Sequence, residues 1–268
     1  MEKTLKVTQL RVYPIKSLPG ISLDSVNVLP KGFEFDRRFM LVDENGIAIT
    51  QRTHPVMSLF NVAMGNNELL VRMTNESVTI PLSPSTGTEF TATIWNDTVT
   101  TIEPDAHLSE WFSNHAGVRC KLVFFPEGNP RRVDPRYDTN ENHVSLADAY
   151  PVLVVGQASL DELNRRLDTQ VSMTRFRPNI VFSGGEPFEE DNWGDFRIGQ
   201  GTFKAVKPCD RCVLINVNPE SGEKGSEPLR TLTTFRKQGN KVLFGQNVLV
   251  VSASKINVGD EISIESYR

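Results

Sequence analysis

Cysteine is scarce in this chain: three residues in 268, at Cys120, Cys209 and Cys212. So few thiols exclude a disulfide framework, and also a zinc or iron–sulfur site held by four cysteines of one chain. No stretch approaches the roughly 18 consecutive apolar residues of a membrane span. The opening MEKTLKVTQLRVYPIKS interleaves charge with short apolar runs, unlike an export signal. The expectation is a soluble cytoplasmic protein with no membrane partner. Neither charge sign dominates: 29 Lys and Arg against 33 Asp and Glu leave a formal charge of -4, which offers a phosphate backbone no net attraction. Nucleic acid is not an expected partner, although a local basic pocket is compatible with that total. The G-x-G-x-x-G and G-x-x-x-x-G-K-[ST] phosphate loops, the G-x-S-x-G elbow and the H-E-x-x-H helix are all missing. Their absence weakens the usual dinucleotide, P-loop, serine-hydrolase and zinc-hydrolase readings together.

What is present reads as strands first and helices later. LKVTQLRVYPI, ISLDSVNVLPKG and RRFMLVDENGIAITQR carry short apolar alternation, with Asp43–Gly46 as a hairpin turn. ELLVRM, SVTIPL and EFTATIW continue the pattern, and such close spacing favours a barrel or strongly bent sheet. In DAHLSEWFSNHAG, Leu108, Trp111, Phe112 and His115 share one helical face and Gly117 marks the stop. A second helix is predicted from Ser159, capped by its hydroxyl with Glu162 as the reciprocal partner. EPLRTLTTFRKQG predicts a third, ended by Gly239. YPVLVVG, NIVFSG, FRIGQGTFKAV, VLINV, NVLVV and EISIESY read as further strands. The result is a mixed α/β, strand-rich chain, divided near residue 122 into a strand-rich first part and a mixed second part, 123–268.

Cys209-Asp-Arg-Cys212 is the chemically distinctive motif. Two thiols at that spacing suit a catalytic or cofactor-binding cysteine, a redox pair, mixed-ligand zinc or plain structural packing. Lys207 and Arg211 would favour a thiolate if they point toward it. Further cations stand at Lys16-Ser17, Asp36-Arg37-Arg38 and Arg175-Phe-Arg177-Pro-Asn179. Arginine grips phosphate or carboxylate through its planar fork, while Ser and Asn orient an adjacent oxygen. Gathered in one cleft, these groups would hold an anionic cofactor. His54, His107 and His143 fall in turns or near a helix start, and His115 reads as packing. Glu189, Glu190, Asp191 and Asp195 read as a solvated loop, with Trp193 as local packing.

The ordered set VYPIKS, FDRRFMLVDENG, FRPNIVFSGG, KPCDRC, EPLRTLTTFR, FGQN and VGDEISI resembles the MOSC domain family, in particular its branch that reduces amidoximes and hydroxylamines with molybdenum. The resemblance spans nearly the whole chain. It implies a β-barrel MOSC core (123–268) joined to a smaller N-terminal β-rich domain (1–122), with a pterin-based molybdenum cofactor in the cleft. Cys212 resembles the molybdenum thiolate ligand, and Cys209 a recurrent neighbour that does not ligate. Lys16, Ser17 and Arg37 match residues that hold the pterin or phosphate portion. Arg177 and Asn179 match further cofactor contacts, and Asp210 fills a variable position with a backbone contact. The implied reaction is two-electron reduction of an N–O bond in an N-hydroxylated small molecule. Some relatives carry an added C-terminal ferredoxin-like domain; the plant-type cysteines of that domain are missing here, so no iron–sulfur cluster is expected. A separate ferredoxin-like or flavin-containing protein is then the expected electron donor. A non-reducing cofactor carrier or a sulfur-transfer protein is the alternative.

Overall fold

Residues 4–138 and 141–268 are described by a computed structural model of the chain. Seven strands close into a barrel: β1 (Leu5–Val12), β2 (Val152–Gly156), β3 (Ile180–Ser183), β4 (Asp195–Ile198), β5 (Gly201–Asp210), β6 (Lys241–Val250) and β7 (Glu261–Ile264). Around the ring the order is β2, β3, β1, β7, β4, β5, β6, and the pairing of Val154 with Gln246 closes β6 onto β2. Closure leaves no bare edge strand, which is how a sheet of this size avoids offering unpaired backbone groups. Only β2 and β3 run parallel, and the connection between them contains the helix Gln157–Asn164, as a parallel crossover requires.

The period-two alternation in sequence becomes the two faces of the barrel wall. Val154, Ile180, Phe196, Phe203 and Val248 fill the interior, where the Phe196 and Phe203 rings stack with centroids 5.4 Å apart. Trp193 is buried in the same cluster against Phe182. Their neighbours Val155, Val181 and Phe244 belong to a different cluster, with Leu160, Leu163 and Leu232. The earlier part of the chain lends β1 to the barrel, pairs Ser25–Leu29 with the late strand Ser254–Asn257, and elsewhere forms a strand-rich layer of its own. That layer contains a four-stranded sheet in the order Phe39–Val42, Lys121–Phe124, Asp97–Glu103, Thr88–Ile94. A three-stranded meander, Asn61–Met64, Glu68–Met73 and Glu76–Pro81, accompanies it. Among the described residues no helix is long and apolar enough to cross a membrane.

Helix α1 (Ala106–Ala116) follows its sequence signals. The Asp105 carboxylate accepts from the His107 N–H at 2.9 Å, and Gly117 takes the left-handed conformation that stops the helix. His115 stacks on Trp111 at 4.2 Å, a packing role. Helix α2 (Gln157–Asn164) begins two residues before the expected Ser159 cap. Ser159 is buried, and its hydroxyl donates to Glu190 while Glu162 pairs with Arg165 and Arg166, so the capping box does not form. Helix α3 (Leu229–Phe235) ends before Gly239, which instead makes the tight turn of a hairpin pairing Lys237–Gln238 with β6. The VLINV segment is not a strand: Val213–Asn216 forms a single 3-10 turn. Ile215 is drawn into the cluster between α2 and α3, and the Asn216 carboxamide accepts from the Leu229 N–H at 3.0 Å. A short apolar run carries no periodicity that separates these outcomes.

The acidic cluster is also only partly solvated. Glu190 is 0% exposed and accepts from the Gly156 N–H at 3.1 Å and from the Ser159 hydroxyl, while Asp191 pairs with Arg236. Residues 189–192 fold as a 3-10 turn whose middle is pressed onto the start of α2.

Candidate functional site

The site forms where β5 leaves the barrel. The β5–β6 register shifts twice, between Ala205 and Lys207 and again between Pro208 and Asp210, so this strand end carries two bulges. Bulges re-aim side chains and interrupt a ladder. Arg211 makes the last backbone bond, to the Val242 carbonyl at 2.8 Å, and the chain then turns with Cys212 exposed at its corner. On the facing strand, Gly245 at φ 76° allows the close approach of Val155, and the buried Gln246 carboxamide, oriented to meet its neighbours, accepts from the Lys207 N–H at 3.1 Å. These contacts hold the bulged end of β5 in place.

Beside Cys212 lies a cleft of about 240 Å³ whose wall contains Lys16, Ser17, Arg37, Arg177, Asn179, Asp210 and Cys212. Every residue singled out from the family resemblance therefore reaches one cavity. Seven Lys and Arg side chains line it against two carboxylates, Asp148 and Asp210, in a chain whose net charge is -4. Three of the lining residues hold strained backbone: Ser17 at φ 68°, Arg37 at φ 49° and Arg177 at φ 53°. Left-handed conformation at non-glycine residues costs about 1–3 kcal/mol each and persists only where surrounding structure imposes it.

For the two arginines the surrounding structure is the Tyr13 ring. Tyr13, fully enclosed at the end of β1, has the Arg37 guanidinium 4.2 Å and the Arg177 guanidinium 4.4 Å from its ring centre. Its hydroxyl donates to the Pro178 carbonyl at 3.0 Å, and its backbone N–H donates to Asp36 at 2.8 Å. Asp36 in turn pairs with Arg37 at 2.5 Å. Arg177 forms no ion pair among the described residues; burial, reinforced by the neighbouring Arg37, brings it down to about 10, so it stays charged at neutral pH. Asn179 lines the cleft with its carboxamide already engaged: the oxygen accepts from Arg37 and from the Leu153 N–H, both at 3.2 Å, and the nitrogen donates to the Arg11 carbonyl. Its contribution here is to lock Arg37 to the barrel strands.

Lys16 is 5% exposed and donates to the Leu146 carbonyl at 3.0 Å and to Asp148. Burial lowers the Lys16 ammonium and the Asp148 charge opposes that. Burial would raise Asp148, but Lys16 holds it well below the usual carboxylate range. The Trp95 indole N–H donates to the same carboxylate at 3.2 Å.

The flanking cations of the cysteine motif are engaged elsewhere than on Cys212, although the Arg211 charge opposes the burial that raises the Cys209 thiol. Arg211 turns away from Cys212, donating to the Phe244 carbonyl at 2.8 Å and the Phe176 carbonyl at 2.9 Å. Its Nη2, buried on the cleft wall, has no partner. Lys207 sits over the Tyr137 and Tyr150 rings. The cation that does approach the thiol is Arg52, whose Nη1 is 3.9 Å from Cys212 Sγ while its guanidinium stacks on Trp95 at 4.1 Å. Nothing in QRTHP or TIWND signals that pairing, nor the role of Asp148. Cys209 is half-buried, and burial pushes its thiol up, whereas Cys212 is exposed. Asp210 accepts from the Val242 N–H at 3.1 Å, fixing the strand end between the two cysteines.

Outward from Cys212 a wider funnel of about 1070 Å³ opens between Trp95, residues 96–99 and the 130–136 loop, and it shares Arg52, Asp148, Asp210 and Cys212 with the cleft. Cys212 thus stands where a narrow basic cleft meets a broad entrance. Among the described residues no three His, Cys, Asp or Glu side chains converge to hold a metal ion.

A strand-rich barrel with a thiol at the rim of a cation-lined cleft defines a MOSC-domain protein, and the chain belongs to that family. The MOSC domain matches residues 141–263 and the MOSC N-terminal beta barrel domain matches residues 4–119. Mitochondrial amidoxime-reducing component 1 of Mus musculus is 30% identical over 275 residues, covering 96% of this chain and 81% of that protein. The Xenopus laevis protein of the same name is 32% identical, with 96% and 81% covered. Molybdenum cofactor sulfurase of Danio rerio is 30% identical over 89% of this chain, but the match spans only 31% of that longer protein.

Proposed function

We propose that this chain is a molybdenum-cofactor-dependent oxidoreductase that reduces N-hydroxylated small molecules at the N–O bond, taking electrons from a separate ferredoxin-like or flavin-containing protein. The observation that carries the reading is the convergence of Lys16, Ser17, Arg37, Arg177, Asn179, Asp210 and Cys212 on one cleft that ends at an exposed thiol. The cleft fits an anionic, sulfur-rich metal cofactor. It offers two thiols, of which only Cys212 is exposed, a surplus of cations, and a buried Arg211 Nη2 that lacks an acceptor. Such a cofactor, when bound, supplies the two-electron redox chemistry.

The side chains then have distinct tasks. Cys212 would hold the metal through its sulfur, beside which the Arg52 guanidinium stands 3.9 Å away. Lys16, Arg37, Arg177 and Arg211 neutralise the cofactor's anionic portion, while Asn179 and Tyr13 hold two of those arginines in orientation. Arg52 and Asp148, on the boundary between cleft and funnel, orient a polar N–O group arriving from the entrance. In the same proposal, residues 1–122 form the N-terminal domain and 123–268 the MOSC domain, working in the cytoplasm. The competing reading, a cofactor carrier or sulfur-transfer protein, is supported by the sulfurase relative. Holoprotein assayed on an amidoxime with a chemical low-potential donor separates the two: the reductase turns over and the carrier does not. Metal analysis with pterin release checks the cofactor, for which about one molybdenum per chain is expected; stoichiometric zinc without pterin refutes it.

A further inference from the structure

The four-stranded sheet sends one hairpin to the rim of the funnel. Its strands Thr88–Ile94 and Asp97–Glu103 pair Ile94 with Asp97, which leaves Trp95 and Asn96 as the two residues of the turn. Trp95 holds φ 57°, a left-handed conformation that such turns ordinarily give to Gly, Asn or Asp. A bulky side chain there is strained, and the strain persists only where neighbouring groups impose it. Two groups hold this ring. The indole N–H donates to Asp148 Oδ1 at 3.2 Å, and the Arg52 guanidinium lies 4.1 Å from the ring centre. Arg52 also stands 3.9 Å from Cys212 Sγ, so a single guanidinium separates the ring from the thiol.

The Trp95 side chain is nonetheless 53% exposed and forms part of the funnel wall, so the core gains little from it. Val99, Pro130, Val133 and Pro135 add apolar surface to the same wall, whereas the boundary with the cleft carries Arg52, Asp148 and Asp210. At about 1070 Å³ the funnel is too wide to select a small molecule by enclosing it. It offers instead an oriented aromatic face beside the polar groups at the thiol. We infer that Trp95 is a specificity-determining residue of this site, a platform on which flat, π-conjugated N-hydroxylated compounds stack with the N–O group toward Arg52 and Cys212. A saturated ring of equal size buries as much apolar area but has no π face to offer, so burial alone would not favour the flat compound. The identity of the N–O head group rests on the proposed function, and the preference for a flat body rests on the ring.

The test compares benzamidoxime with cyclohexanecarboxamidoxime, which carry the same N–O head on a flat and on a puckered ring. Binding of each to the full chain is titrated by ligand-detected NMR in the wild type, Trp95→Phe and Trp95→Gly. KM and kcat for each are measured on holoprotein with a chemical electron donor. Glycine suits a φ of 57°, so removing the ring does not strain the turn. The ratio between the two compounds cancels any displacement of Arg52 or Asp148, since those groups meet the shared head. The flat compound should bind about fivefold tighter in the wild type and nearly so in Trp95→Phe, with the preference falling to within about twofold in Trp95→Gly. KM should follow the same pattern while kcat moves less. Equal binding of the two compounds by the wild type overturns the inference, as does a preference that Trp95→Gly leaves unchanged. A preference lost as fully in Trp95→Phe as in Trp95→Gly belongs to the indole N–H bond with Asp148 and likewise overturns the platform. Holoprotein that prefers the flat compound in binding yet reduces neither removes the proposed function and leaves the platform standing; turnover of both without any preference does the reverse.

Discussion

Glu190→Gln is expected to make the chain more stable at pH 8 while leaving it nearly unchanged at pH 5. Burial raises the Glu190 carboxyl to about 7 from a usual 4.5, against the opposing pull of the Gly156 N–H and the Ser159 hydroxyl. Asp191 adds repulsion from the next position and is itself paired with Arg236. With the folded value above the unfolded one, a carboxyl costs nothing below pH 4.5, where both states are protonated. As pH rises toward 7 the unfolded chain ionises first, and stability falls. At about 1.4 kcal/mol per unit the loss reaches roughly 3 kcal/mol by pH 8. Glutamine keeps a neutral acceptor for the Gly156 N–H but cannot ionise, so that loss disappears. Guanidinium unfolding of both proteins at pH 5, 6, 7 and 8 reads the difference directly, other titrating groups cancelling between them. A difference that stays flat across the four pH values would refute the reasoning.

Cys212→Ala is expected to remove the protein's sulfur from the metal's coordination and nearly abolish turnover in folded, cofactor-loaded protein, while Cys209→Ala keeps the metal spectrum; X-ray absorption with an activity assay distinguishes them, and the reverse pattern overturns the ligand assignment. Gly245→Ala puts a methyl 2.6 Å from Val155 Cγ2 and 3.0 Å from the Val154 carbonyl at a backbone φ of 76°, so a loss of at least about 2 kcal/mol is expected in denaturant unfolding. The same methyl would sit 3.3 Å from Arg211 Nη2, and cofactor occupancy measured on the surviving folded fraction should fall too. Asp105→Ala removes the α1 cap and should cost about 1 kcal/mol with no effect on cofactor content.

Local signals were legible where the physics is local. The α1 helix announced itself through one apolar face and a terminal glycine, both of which act within a few residues of where they stand. The Ser159 cap and the VLINV strand do not form because distant groups outcompete the local pattern. Glu190 takes the Ser159 hydroxyl, and the α2–α3 cluster takes Ile215. The acidic run looked like a solvated loop for the same reason, since nothing in EEDNWGD says that its second glutamate will be enclosed.

Strand-rich architecture, the scarcity of thiols and the motif order that marks a MOSC chain are properties of the sequence by itself, because each depends only on which residues follow which. Which cations face the thiol was decided by the tertiary structure. Lys207 and Arg211 adjoin Cys212 along the chain yet point elsewhere, while Arg52, 160 positions from Cys212, lies 3.9 Å from its sulfur. The reason is the bulged end of β5, where two register shifts turn successive side chains to different sides of the barrel wall. The strained backbones of Ser17, Arg37 and Arg177 belong to the same class of fact. No residue in those three favours left-handed conformation by itself, and it is the packing of barrel, ring and ion pair around Tyr13 that holds the two arginines there.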